Sequence, residues 1–114
     1  MLESSIDNTL KREFPEVRFK LSEHKDYAHL MIVVVKYKDR NKGQGTEFIK
    51  RLIELSEQEQ KDIYLTPDDS YSEKSDMNKA QLTKWYKSLG FVKKHRDDFR
   101  NQNTMAYYTK NSEH

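Results

Sequence analysis

The sequence is 114 residues long, 34% hydrophobic and 35% charged, with a formal net charge of +2 and no cysteine. That length suits a single small domain over 1–114, with a thin core that buries roughly 65% of the surface the unfolded chain exposes. The composition excludes disulfides, thiolate nucleophiles and Cys-based zinc sites, and the near-balance of charge argues against a general nucleic-acid binder.

The longest apolar run, Leu30 to Val35, falls well short of the ~18 residues a membrane-spanning helix needs. Met1-Leu2-Glu3-Ser4-Ser5 lacks the basic and apolar regions of a signal peptide, so a cytoplasmic protein without a membrane partner is expected. With so thin a core, a bound ligand or a second subunit, as in a homodimer, is expected to supply part of the stability.

In chain order, residues 3–14 read as a helix with Ile6, Leu10 and Phe14 on one face, ended by Pro15. Val17, Phe19 and Leu21 alternate with polar residues, which predicts a half-exposed strand. His24-Lys25-Asp26 makes a turn, so this strand should pair antiparallel with one at 28–36. Leu30 to Val35 reads as buried on both faces. From Thr46 to about Gln60 the pattern is helical, with Phe48, Ile49, Leu52 and Ile53 on one stripe. Ile63 to Thr66 is a short strand closed by Pro67.

Asp68 to Asn78 is polar and reads as a loop. A helix follows, with Ser75, Asp76 or Asn78 as candidate caps and Leu82, Trp85, Tyr86 and Leu89 on one face. Gly90 stands at its C-terminal cap position. Phe91-Val92 and Met105 to Tyr108 are the last strands, and residues from Lys110 onward are expected to fray. The order predicts a mixed α+β sheet with parallel pairing in its centre, across a crossover through the second helix.

The stretch Lys36 to Thr46 carries the first functional signal. A strand, a glycine loop and a helix in succession aim free backbone N–H groups and the positive end of a helix dipole at an anion. Gly43 and Gly45 let the backbone approach closely, and Lys36, Lys38, Arg40 and Lys42 add charge suited to several phosphates. A solvated basic βα turn is the plain alternative. A P-loop is excluded because Thr46-Glu47 follows Gly45, and a dinucleotide fingerprint because Phe48 holds the third glycine's place.

Arg40-Asn41-Lys42-Gly43-Gln44-Gly45, with Val35 five residues before the Arg, resembles the acetyl-coenzyme A signature of the GCN5-related N-acetyltransferases (GNAT family). The segment Tyr86-Lys87-Ser88-Leu89-Gly90-Phe91 is similar to that family's second signature, Tyr-x-x-x-Gly-Phe. The resemblance covers about residues 28 to 109 and implies a GNAT-type mixed sheet flanked by helices, with an abbreviated N-terminal half. In size, the chain looks like the short acetyltransferases of bacteriophages, a few of which counter host defences.

The resemblance implies acetyl-CoA as cofactor. The backbone of Val33, Val34 and Val35 would hold the pantetheine arm, between strands that splay past Val35 and Leu65. Arg40 to Thr46, that is Arg40, Asn41, Lys42, Gly43, Gln44, Gly45 and Thr46, would bind the pyrophosphate. Tyr86 would be the general acid for the departing thiolate, its alternative role being a core aromatic beside Trp85.

The acceptor is then an amine, on a small molecule or a protein, and without cysteine it attacks directly. His29, Glu23, Asp68 and Asp69 are candidates for the general base, none of them assigned. His24, His29, His95 and His114 show no metal-ligand spacing. Two further readings stay open. One is a non-catalytic interaction or inhibitor protein of the same fold, phage-encoded and acting on a host factor. The other is a small nucleic-acid binder using Lys93-Lys94-His95-Arg96 and Tyr107-Tyr108, against which the total charge speaks.

Overall fold

The computed structural model describes residues 5–35, 44–67, 79–99 and 101–109. Within them the chain runs α1 (Ser5–Glu13), β1 (Val17–Glu23), β2 (Tyr27–Val35), α2 (Gln44–Glu59), β3 (Asp62–Leu65), α3 (Lys79–Ser88), β4 (Val92–Lys93) and β5 (Met105–Tyr107). The expectations for Arg40 to Gly43, for the loop from Asp68 to Asn78 and for the residues from Lys110 onward lie outside the described residues. Among the described residues no helix is long and apolar enough to cross a membrane.

The strands form one sheet in the order β1-β2-β3-β5-β4. Among the described residues only β2 and β3 pair in parallel, across the connection that carries α2, and every other neighbour is antiparallel. This is the mixed sheet that the element order predicts.

Strand alternation divides the side chains into two layers. Leu30, Ile63, Leu65 and Met105 point to one face, where they join Ile6 and Leu10 of α1, Phe48, Ile49, Leu52 and Leu55 of α2, Tyr86 of α3 and Phe91 in one core cluster. Phe48 holds the middle of it, with Phe14 edge-on at 5.5 Å and Phe19 at 4.9 Å between ring centres. On the opposite face Tyr64 meets Tyr27 and Tyr108 edge-on, and the segment between β4 and β5 is anchored there through Asp98, which accepts from the hydroxyls of both Tyr64 and Tyr108.

Helix ends follow their capping chemistry. The Glu23 carboxylate accepts from the Asp7 N–H at 3.1 Å, so a β1 side chain caps the first turn of α1. The expected start of α2 at Thr46 moves back to Gln44. A first helical turn has no intrahelical N–H bonds to lose, so Gly45 is tolerated there. α2 ends with Lys61 N–H donating to the Ser56 carbonyl at 3.0 Å, which puts Gln60 at φ 59°. α3 ends in the same way, with Phe91 N–H donating to the Tyr86 carbonyl at 3.1 Å and Gly90 at φ 111°.

The β2–β3 pairing departs from the expected place. The parallel register is Tyr27 with Asp62, Ala28 with Ile63 and His29 with Tyr64, and it stops there. β2 continues to Val35 paired with β1, six residues beyond the last contact with β3. The strands therefore part after His29 rather than past Val35. At the same point the β1–β2 register slips, Lys20 facing Ile32 and Leu21 facing Leu30, so that Met31 is an extra residue in β2. A bulge of this kind bends and twists a strand, which turns β2 away from β3. It also leaves Met31 43% exposed, so at this position the run is not buried on both faces.

Candidate functional site

Three features expected from the sequence meet around the gap between β2 and β3. The first is the strand edge. From Leu30 to Val35 the side of β2 that would face β3 makes no ladder with it. Its backbone donors and acceptors are thus free, among the described residues, to bind an extended ligand as an added strand would. Val33, Val34 and Val35 lie on this segment, held in register by Phe19, Arg18 and Val17 of β1.

The second feature is the start of α2. Gln44, Gly45 and Thr46 occupy its first turn, where backbone N–H groups have no intrahelical partner and the helix dipole is positive. Arg40, Asn41, Lys42 and Gly43 lie outside the described residues.

The third is α3. The indole N–H of Trp85 donates to Thr46 Oγ1 at 3.3 Å, so the start of α2 and the residue beside Tyr86 are in direct contact. The two halves of the sequence signal, 39 residues apart, are neighbours in space. Tyr86 itself is 8% exposed, with Phe91 edge-on at 5.6 Å and Trp85 at 4.9 Å. Burial pushes its hydroxyl pKa up to about 12, because an apolar surrounding disfavours the phenolate. It is both a core aromatic and a phenol that keeps its proton.

Beside the gap lies a cleft of about 530 Å³, lined by His29, Leu30, Met31, Thr66, Pro67, Lys79 and Asn103. That volume lies within the ~300–1,000 Å³ typical of small-molecule sites. Its polar wall is a fixed network: Thr66 Oγ1 donates to Asn103 Oδ1 at 2.9 Å and accepts from Thr104 N–H at 3.2 Å, while Asn103 Nδ2 donates to Asn101 Oδ1 at 3.1 Å.

Burial holds the His29 imidazole below its ordinary pKa, and the nearby His24 adds to this; a hydrogen bond with Asn103 works the other way. Glu23 is engaged elsewhere, with Asp7 N–H and at 3.2 Å with Lys61 Nζ, and Asp68 and Asp69 lie outside the described residues. Sequence reasoning named His29 but had no signal for Asn103 or Thr66, which reach the cleft through β-sheet pairing rather than through any motif.

Among the described residues no group of three or more His, Asp or Glu side chains is placed to hold a metal ion. Tyr107, Tyr108 and His95 of the nucleic-acid reading make contacts within the fold. Tyr107 donates to Glu57 at 2.7 Å and Tyr108 to Asp98 at 2.7 Å, with His95 stacked on the Tyr108 ring.

No protein-family model and no curated protein sequence matches the chain. Solved structures do. The anti-CRISPR protein AcrVA5 superposes with a TM-score of 0.59 at 19% identity, covering 82% of this chain and 90% of its own. Ard1 from Thermoplasma volcanium gives 0.55 at 17% identity, covering 95% of this chain and 80% of its own. Tetrahymena GCN5 gives 0.57 at 15% identity, covering 81% of this chain but 59% of its own.

Proposed function

Starting from a GNAT-type fold, which the chain shares with these structures, we propose that it is an acetyl-CoA-dependent N-acetyltransferase acting on an amine of a small molecule or a protein. The observation that carries this reading is the early parting of the two parallel strands after His29 and Tyr64, with a cleft beside the gap and the start of α2 in contact with the residue next to Tyr86. The residues fit the cofactor: an unladdered strand edge suits its amide-bearing arm, and the first turn of α2 suits its phosphates.

When bound, acetyl-CoA supplies an activated thioester. The chain's own part is to orient it along Val33 to Val35, hold its phosphates at Gln44 to Thr46 with Arg40 to Gly43, and donate to the departing sulfur from Tyr86. A phenol with its pKa pushed to about 12 stays protonated across the working range, and the burial that raises it also strengthens its hydrogen bond to a developing anion.

The test is calorimetry with coenzyme A and acetyl-CoA, followed by thiol release with a panel of amines and peptides. Saturable binding with turnover supports the proposal; no binding defeats it. The likeness to an anti-CRISPR protein over 90% of that protein's length supports a host factor as the target, and the second reading is a protein of this fold that inhibits such a factor without catalysis. Cofactor binding without turnover would favour it.

A further inference from the structure

The acetyl-transfer reading leaves the attacking amine without a proton acceptor, and the cleft beside the gap contains one. His29 is the last β2 residue paired to β3, so it stands at the apex where the strands diverge, in the wall of the cleft. Asn103 beside it is held from two directions, its Oδ1 by the Thr66 hydroxyl at 2.9 Å and its Nδ2 by Asn101 at 3.1 Å. Its hydrogen bond to the imidazole favours the protonated ring, as an oxygen acceptor does. A neutral imidazole has one N–H and one lone pair. With the N–H given to Asn103, the remaining nitrogen is a base.

We infer that His29 is the general base of the acetyl transfer, accepting the proton of a primary amine that enters through the cleft, and that Asn103 is the positioning residue that fixes its tautomer. This rests on the acetyltransferase reading. The neutral amine attacks the thioester carbonyl; a C–N bond forms and the C–S bond breaks. The nitrogen's proton passes to the free ring nitrogen of His29, and the sulfur leaves as a thiolate that accepts a hydrogen bond from the Tyr86 hydroxyl. His29 then releases its proton to water and the thiolate takes one from water, leaving an amide and the coenzyme A thiol.

The two residues approach the gap from opposite faces, Tyr86 from the helical layer and His29 from the cleft, so the proton donor and the proton acceptor are kept apart. The titratable or charged groups around His29 agree with the role. His24 lies across the β1–β2 turn, where positive charge disfavours a second cation on His29, and Lys79 at the start of α3 also lines the cleft. Tyr64, its register partner on β3, has its hydroxyl engaged with Asp98. The ring is therefore neutral at pH 7.

The experiment has two arms. The first follows transfer from acetyl-CoA to a peptide with a free N-terminus and one lysine. His29→Gln should lower kcat about 10²-fold at pH 7, abolish the acidic limb of the kcat profile and leave coenzyme A affinity unchanged. Asn103→Ala should lower kcat less, and Asn103→Asp should move the limb to higher pH.

The second arm reads the ring nitrogens of the cofactor-free parent protein by 15N NMR. His29 should be a single neutral tautomer that titrates below the ordinary imidazole value, and Asn103→Ala should mix its tautomers alone. Absence of transfer overturns the acetyltransferase reading and this inference with it. Transfer that His29→Gln leaves unchanged overturns the inference alone. Mixed tautomers in the parent overturn the role of Asn103, and this arm decides even where His29→Gln fails to fold.

Discussion

Replacing Tyr86 by Phe removes one hydroxyl and should separate chemistry from packing. The ring's neighbours, Phe91 at 5.6 Å and Trp85 at 4.9 Å, do not use the hydroxyl, and the cap at the end of α3 uses the Tyr86 carbonyl. Stability should therefore change by less than about 1 kcal/mol. The effect on rate follows from acidity. A phenol raised to about 12 is a weaker acid than a thiol near ~8.5, so it acts mainly by hydrogen bonding to the developing thiolate.

Hydrogen bonds to charged groups contribute ~1.5–3 kcal/mol, which corresponds to a loss of about 10- to 150-fold in kcat. The assay is thiol release under saturating acetyl-CoA, beside calorimetry for cofactor affinity and urea denaturation for stability. A kcat equal to that of the parent, or a loss fully matched by weaker cofactor binding or unfolding, would refute the reasoning. The parent should also show no alkaline fall in kcat from Tyr86 until pH approaches about 12.

Other positions test the frame around the site. Gly90 has φ +111°, and a Cβ there would lie 3.2 Å from the Tyr107 ring, so Gly90→Ala should cost ~1–3 kcal/mol in urea denaturation; an unchanged midpoint would contradict the cap geometry. Gln60, at φ 59°, makes the opposite case: Gln60→Gly should stabilise by ~0.5–1 kcal/mol, and destabilisation would count against it.

Glu13 bridges α1 to α2 by accepting from Arg51 Nε at 2.8 Å and Nη2 at 3.0 Å. Those hydrogen bonds hold its carboxyl below the ordinary value of 4.5. A depressed folded pKa means stability present above that value and lost as pH falls through the lower one. Thermal midpoints of Glu13→Gln should consequently fall less steeply than the parent's below pH 4.5; parallel curves would show that the pair contributes nothing.

Most elements were legible because they carry their own periodicity. Ile6 and Leu10, Phe48 and Leu52, and the alternation of Val17, Phe19 and Leu21 each show which side faces the core, and burial agrees. Gly90 marked the end of α3 for the reason seen in its positive φ. The place where β2 and β3 part was not legible. Leu30 to Val35 is uniformly apolar, so neither the extra residue at Met31 nor the loss of the β3 ladder leaves any mark in its pattern. The insertion of β5 between β3 and β4 was equally hidden, and with it the arrival of Asn103 beside His29, since that meeting depends on pairings between segments distant in sequence.

The most direct measurement is a backbone amide titration by NMR with acetyl-CoA. Ligand held in the gap predicts the largest shifts at Leu30 to Val35 and at Gln44 to Thr46, with slowed hydrogen exchange along β2. Shifts confined to the β1 edge or to β4, or none at saturating ligand, would contradict the proposed site.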